Sequence, residues 1–92
     1  MLFTIHALDK ANVTELRKGA FDAHREHVAS SAISIVMSGP LMSDDEQNVI
    51  GSFFLVEAPD RRSVMEFHLN DPIYIAGVWE TVNIQVFHKR VG

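Results

Sequence analysis

The order in which apolar periodicity changes along the chain constrains the fold most tightly. Leu2 to Leu8 is a short apolar run closed by Asp9-Lys10, and it reads as a buried strand. From about Val13 to about Ser30 the spacing becomes helical, with Val13, Leu16, Ala20, Ala23 and Val28 on one side. Asn12 is positioned to cap that helix, with Glu15 as the return partner of a capping box. Ala32 to Met37 is a second strand, rich in isoleucine and valine, that stops at a Ser38-Gly39-Pro40 turn. Ser43-Asp44-Asp45-Glu46-Gln47-Asn48 reads as a polar hairpin loop leading into a third strand, Val49 to Ala58. Asp60 caps a short helix over Arg61 to Leu69. Asn70-Asp71-Pro72 ends that helix, because the residue before proline avoids helical dihedrals. Val78 to His88 is the last strand, where Val82, Ile84 and Val86 alternate with Thr81, Asn83 and Gln85.

Strand, helix, strand, strand, helix, strand is the split βαβ order of a ferredoxin-like α+β fold: a four-stranded antiparallel sheet with two helices on one face. A chain of 92 residues has room for one such domain, residues 1–92. So short a chain buries only about 60–65% of its unfolded surface. It has no cysteine, which rules out disulfides, thiolate metal sites and cysteine nucleophiles. Association is then the expected route to extra stability. Phe3, Ile5, Phe53, Leu55 and Phe87 are expected to make the sheet's second face apolar, and a second sheet from another copy would cover it. A homodimer or higher homo-oligomer follows as the expectation.

Charge narrows the partners. The formal net charge is −4, and Lys10, Arg17, Lys18, Arg25, Arg61, Arg62, Lys89 and Arg90 are scattered. Nucleic acid and anionic membranes call for a concentrated basic face, so neither is an expected partner. Phe53-Phe54-Leu55-Val56 falls far short of the roughly 20 apolar residues that span a bilayer. Met1 to Leu8 lacks a leading charge and is interrupted by Thr4 and His6, unlike a signal peptide. A soluble, cytoplasmic protein is expected.

His24 and His27 draw attention among the five histidines, because they lie one turn apart near the first helix's apolar side. A buried neutral histidine needs a hydrogen-bond partner on one ring nitrogen and offers the other as a base. The ordinary alternative is a core histidine satisfied by packing. A His24-x-x-His27 metal pair lacks a third ligand marked by spacing, and no metal is expected. Asp71 is either a turn or cap residue ahead of Pro72, or a carboxylate that orients a histidine. Ser38-Gly39-Pro40 offers backbone amides or a plain turn, and Gly51-Ser52 a bulge or a close approach. Tyr74 and Trp79 are single aromatics near the predicted pocket mouth. With no phosphate loop, dinucleotide fingerprint or serine elbow, no cofactor is expected.

Together these features resemble the YciI-like family over nearly the whole chain. The resemblance rests on the opening strand with Asp9-Lys10, the Arg17 and His24 spacing, the Gly39-Pro40 turn and Gly51-Ser52. It continues through Asp71-Pro72 with Ala76-Gly77-Val78, and the closing Val82-x-Ile84-x-x-Phe87. It implies a dimeric α+β barrel with a pocket centred on His24 and Asp71, and Arg17, Gly39, Ser52 and Tyr74 as substrate contacts. Some relatives eliminate halide from chlorinated hydroquinones. Three positions depart from the family pattern: Phe21 replaces a second arginine, Ile73 with Tyr74 shifts an aromatic by one place, and Val86 replaces a proline. The implied function is a cofactor-free enzyme doing acid–base elimination or isomerisation on a small organic molecule, with His24 as base or acid and Asp71 as its orienter. The alternatives are a non-catalytic small-ligand-binding or accessory module, and a monooxygenase or muconolactone-isomerase-like enzyme on the same dimeric barrel.

Overall fold

Alternating apolar residues at the start of the chain build the central strand. In a computed structural model describing residues 1–92, the elements run β1 (Leu2–Asp9), α1 (Thr14–Ala29), β2 (Ser34–Met42), β3 (Val49–Glu57), α2 (Arg61–Leu69), α3 (Pro72–Ile75) and β4 (Trp79–Phe87). The sheet order is β2-β3-β1-β4, with every neighbouring pair antiparallel. This is the ferredoxin-like α+β fold that the element order predicts. No helix is long and apolar enough to cross a membrane.

Period-two alternation divides the sheet into two faces. Phe3, Ile5 and Ala7 of β1 pair with Val56, Phe54 and Ser52 of β3, and this face is covered by the helices. Val64 and Phe67 of α2, Ala20 of α1 and Ile73 of α3 complete the core. Phe54 packs edge-on against both Phe67 and Trp79, with centroids 5.6 and 6.5 Å apart. Phe3 and Ile5 therefore lie on the helix side, not on the second face, because the register sets them opposite Val56 and Phe54. The second face carries Leu2, Thr4 and His6 of β1, Phe53 and Leu55 of β3, Met37 and Leu41 of β2, and Asn83, Gln85 and Phe87 of β4.

Four local features differ from the expected pattern. Asn12 does not cap α1: it sits in a turn at φ 61°, a conformation asparagine tolerates, and Val13 takes the cap position without a side-chain bond. Ser38-Gly39-Pro40 does not stop β2, which runs on to Met42. It is an edge strand, where proline's missing N–H costs no ladder bond, and Gly39 and Pro40 pair with Phe53 and Ser52. The inward stripe runs from Val13, at the cap of α1, through Arg17, Ala20, His24, His27 and Val28, whereas Leu16 and Ala23 face solvent. Finally, Asp71 and Pro72 do more than end α2. They start the four-residue α3, with Asp71 capping it through a 2.9 Å bond from the Ile73 N–H.

Gly51 permits the close contact of β1 with β3. A Cβ on it would drive into the Ala7 carbonyl oxygen, a backbone atom that cannot move aside. Gly51→Ala should cost about 1–3 kcal/mol, as overpacking of a tight contact does, and lower the urea midpoint accordingly.

His68 and Trp79 form a second tight spot. The His68 ring is buried, stacks on Trp79 at 5.6 Å and lies 4.6 Å from the Tyr74 ring. Neither His68 Nδ1 nor Trp79 Nε1 has a hydrogen-bond partner in the protein. Burial pushes the imidazole pKa below its ordinary 6.5, and the nearby Asp71 charge opposes this. The unfolded chain thus binds a proton near pH 6.5 that the folded chain accepts only at lower pH. Stability from this group is complete above pH 6.5 and declines as pH falls toward the folded value. His68→Phe should flatten that decline in unfolding midpoints measured between about pH 7 and pH 5; an unchanged slope would assign it to another group.

Candidate active site

Three polar side chains, Arg17, His24 and His27, occupy positions on the inward side of α1 that a plain amphipathic helix would fill with apolar residues, and the first two reach a cavity. His24 lies 2.8 and 3.1 Å from the two carboxylate oxygens of Asp71, measured at its Nδ1. Asp71 is fully buried, so its charge depends on these partners: Nδ1–H of His24 and the Ile73 N–H both donate to it. An ionised carboxylate accepts only, which assigns a proton to Nδ1; in the neutral ring the lone pair then lies on Nε2. Phe54 braces the ring edge-on at 5.9 Å. The imidazole side chain keeps 15% exposure.

Arg17, two turns earlier, is held as firmly. Its Nε and Nη2 donate to the two oxygens of Asp9 at 2.9 Å each, a bidentate pair, and Nη2 also donates to Ser52 Oγ at 2.9 Å. The two charged side chains keep only 14% and 7% exposure. Nη1 makes no bond to the protein. Asp9 reaches the arginine from the end of β1, just past a register shift between Leu8 and Asp9. Ser52 comes from β3 beside Gly51, so the tight strand contact sets the position of the hydroxyl.

A cavity of about 870 Å³ opens between α1 and the β2–β3 half of the sheet. Arg17, His24, Gly39, Pro40, Ser52 and Phe54 all line it. The continuation of β2 through Gly39 and Pro40 supplies the far wall. Of the residues expected in the site, His24, Arg17, Gly39 and Ser52 thus meet at one cavity, with Asp71 behind His24. Tyr74 does not join them: it packs against His68 and is absent from the cavity wall. Ile73, next to it, fills the core instead.

His27 stands apart too. Its Nε2 bonds the Phe67 carbonyl at 2.8 Å and its ring stacks on Phe67 at 4.7 Å, which ties α1 to α2. No three histidine, aspartate or glutamate side chains converge in the protein. Sequence reasoning missed Asp9 as the partner of Arg17. Its signals were its place at a strand end, eight residues before the arginine, and its part in the family resemblance.

Comparisons with known proteins place the chain in a family and match its fold. Residues 1–88 match the family model of the YCII-related domain. Among solved structures, the 5-chloro-2-hydroxyhydroquinone dehydrochlorinase of Burkholderia phenoliruptrix AC1100, in complex with 2,5-dihydroxybenzoquinone, is similar with a TM-score of 0.86. The identity is 26%, over 96% of this chain and 94% of that one. No curated protein matches the chain. By its family match and its architecture, the chain belongs to the YCII-related domain family.

Proposed function

We propose that this protein is an enzyme that uses His24 and Asp71 for acid–base elimination on a small hydroxylated organic molecule. The observation that carries the reading is the 2.8 Å contact between His24 Nδ1 and a fully buried Asp71, with the ring at the edge of a cavity. Asp71 fixes the tautomer. Nε2 takes a proton from a substrate hydroxyl or carbon, the electron pair released moves into the molecule, and the leaving group departs with the pair of its own bond. Return of the proton at a different atom would make the same site an isomerase. Arg17 Nη1 and the Ser52 hydroxyl would bind substrate oxygens, with the Gly39 backbone on the opposite wall. This chemistry draws on protein groups alone. The similar solved structure, a dehydrochlorinase holding a dihydroxybenzoquinone, supports elimination over the other readings.

Chloride release from 5-chloro-2-hydroxyhydroquinone or a related halogenated hydroquinone is the assay. His24→Ala should lower kcat by about 10²–10⁴-fold, the usual worth of a positioned acid or base, and should also cost stability, since Asp71 keeps only the Ile73 N–H; circular dichroism checks that the variant is folded under the assay conditions. Asp71→Asn keeps a residue equally able to cap α3 but loses the charge behind the imidazole, so its loss of rate should come with little loss of stability. Full activity in His24→Ala would overturn the reading.

We further propose that the protein works as a homodimer joined through the second sheet face. Phe53 and Leu55, with the exposed Met37 beside Leu55 on β2 and the exposed Phe87 beside Leu2 on β4, give this face apolar groups that another copy of the same face would bury. Sedimentation should find a dimer for the native chain and a folded monomer for Leu55→Glu. A native chain that sediments as a monomer at micromolar concentration would rule the dimer out.

A further inference from the structure

We propose that Phe21 sets substrate specificity: its half-exposed ring makes the cavity select a planar aromatic molecule of low charge. This rests on the proposal that the His24 cavity is the reaction site. Phe21 lies three residues before His24, so on a helix the two side chains are neighbours on one wall. The ring is 49% exposed and lines the cavity. Its place is not explained by the core, which it does not enter. Arg25 sits over the ring with its guanidinium carbon 5.7 Å from the centroid, which steadies it and occupies one face. Across the cavity stand Pro40 and Val49, with Phe54 at the floor beside His24. A flat ring entering the cavity would thus meet an aromatic surface on one side and aliphatic groups on the other.

Charge points the same way. The cavity wall holds the cations Arg17, Lys18 and Arg25 and the anions Asp22 and Glu26. Asp9 neutralises Arg17 through both oxygens. The cations and anions balance, so the wall has no surplus positive charge with which to favour a polyanion. What remains to discriminate among small molecules is shape, apolar surface and the few polar atoms at its base. A volume of about 870 Å³ accommodates a single substituted ring with room to spare.

Isothermal titration with a matched pair of probes tests the assignment. Hydroquinone and cyclohexane-1,4-diol carry the same two hydroxyls, but only the first is flat and aromatic. The native protein should bind hydroquinone more tightly, by roughly 2- to 10-fold, the range an aromatic pair contributes beyond buried area. Phe21→Leu keeps an apolar side chain and should erase the difference. Phe21→Arg should instead shift preference toward gentisate, which adds a carboxylate to the same ring. A native protein with no preference for hydroquinone, or a Phe21→Leu variant that retains the native preference, overturns the proposal. His24→Ala should keep the ring preference. If that variant also kept full turnover, the acid–base reading would fail while the Phe21 assignment stood.

Discussion

The arrangement around the site depends on one buried carboxylate. Asp71 is fully enclosed, and an enclosed charge without partners is very costly. It is satisfied from two directions: the Ile73 N–H of its own turn and Nδ1–H of His24 on α1. The first bond starts α3, and the second fastens that short helix to the first long one. The cap contact and the histidine contact of Asp71 are not alternatives, because one oxygen meets both donors. Any shift of the α2–α3 junction would move the imidazole, and any rotation of α1 would strand the carboxylate.

A second charge pair fixes the other end of the cavity by the same logic. The guanidinium of Arg17 is planar and needs a planar acceptor, and the end of β1 supplies one in Asp9. Ser52 joins them only because β3 runs close to β1, and it runs close because Gly51 has no side chain to hold the strands apart. Backbone contact, ion pair and cavity wall are therefore one construction. The proposed base and the arginine sit on a regular helix braced at both ends, which suits a site that must hold its groups in place.

Strand order, the α2 cap at Asp60 and the hairpin between β2 and β3 were all legible in the sequence, since each has a local cause. What was not legible had a tertiary cause. Ser38-Gly39-Pro40 reads as a stop unless the strand is known to lie at the sheet edge, where proline removes no ladder bond. The α1 stripe is the sharper case. Leu16 and Ala23 are apolar and at helical spacing, yet they face solvent, while Arg17 and His24 face inward. Hydrophobic pattern fails there because those two positions have partners, Asp9 and Asp71, that lie far off in sequence or on another element. Conflict between pattern and orientation is what a functional site is expected to produce.

The histidines show how far environment outranks residue type. His24 and His27 are one turn apart on the same helix and were equally good candidates by spacing. His24 meets a carboxylate and keeps Nε2 for the cavity; His27 gives Nε2 to the Phe67 carbonyl and stacks on that ring, becoming a clamp between α1 and α2. His68 meets neither charge nor carbonyl at its buried Nδ1, and burial holds its pKa down. The difference lies in what faces each ring: a capped carboxylate, a helix carbonyl, or the indole of Trp79. Only the first of these surroundings both orients an imidazole and leaves its other nitrogen free, so the proposed chemistry follows from the α2–α3 junction more than from the histidine itself.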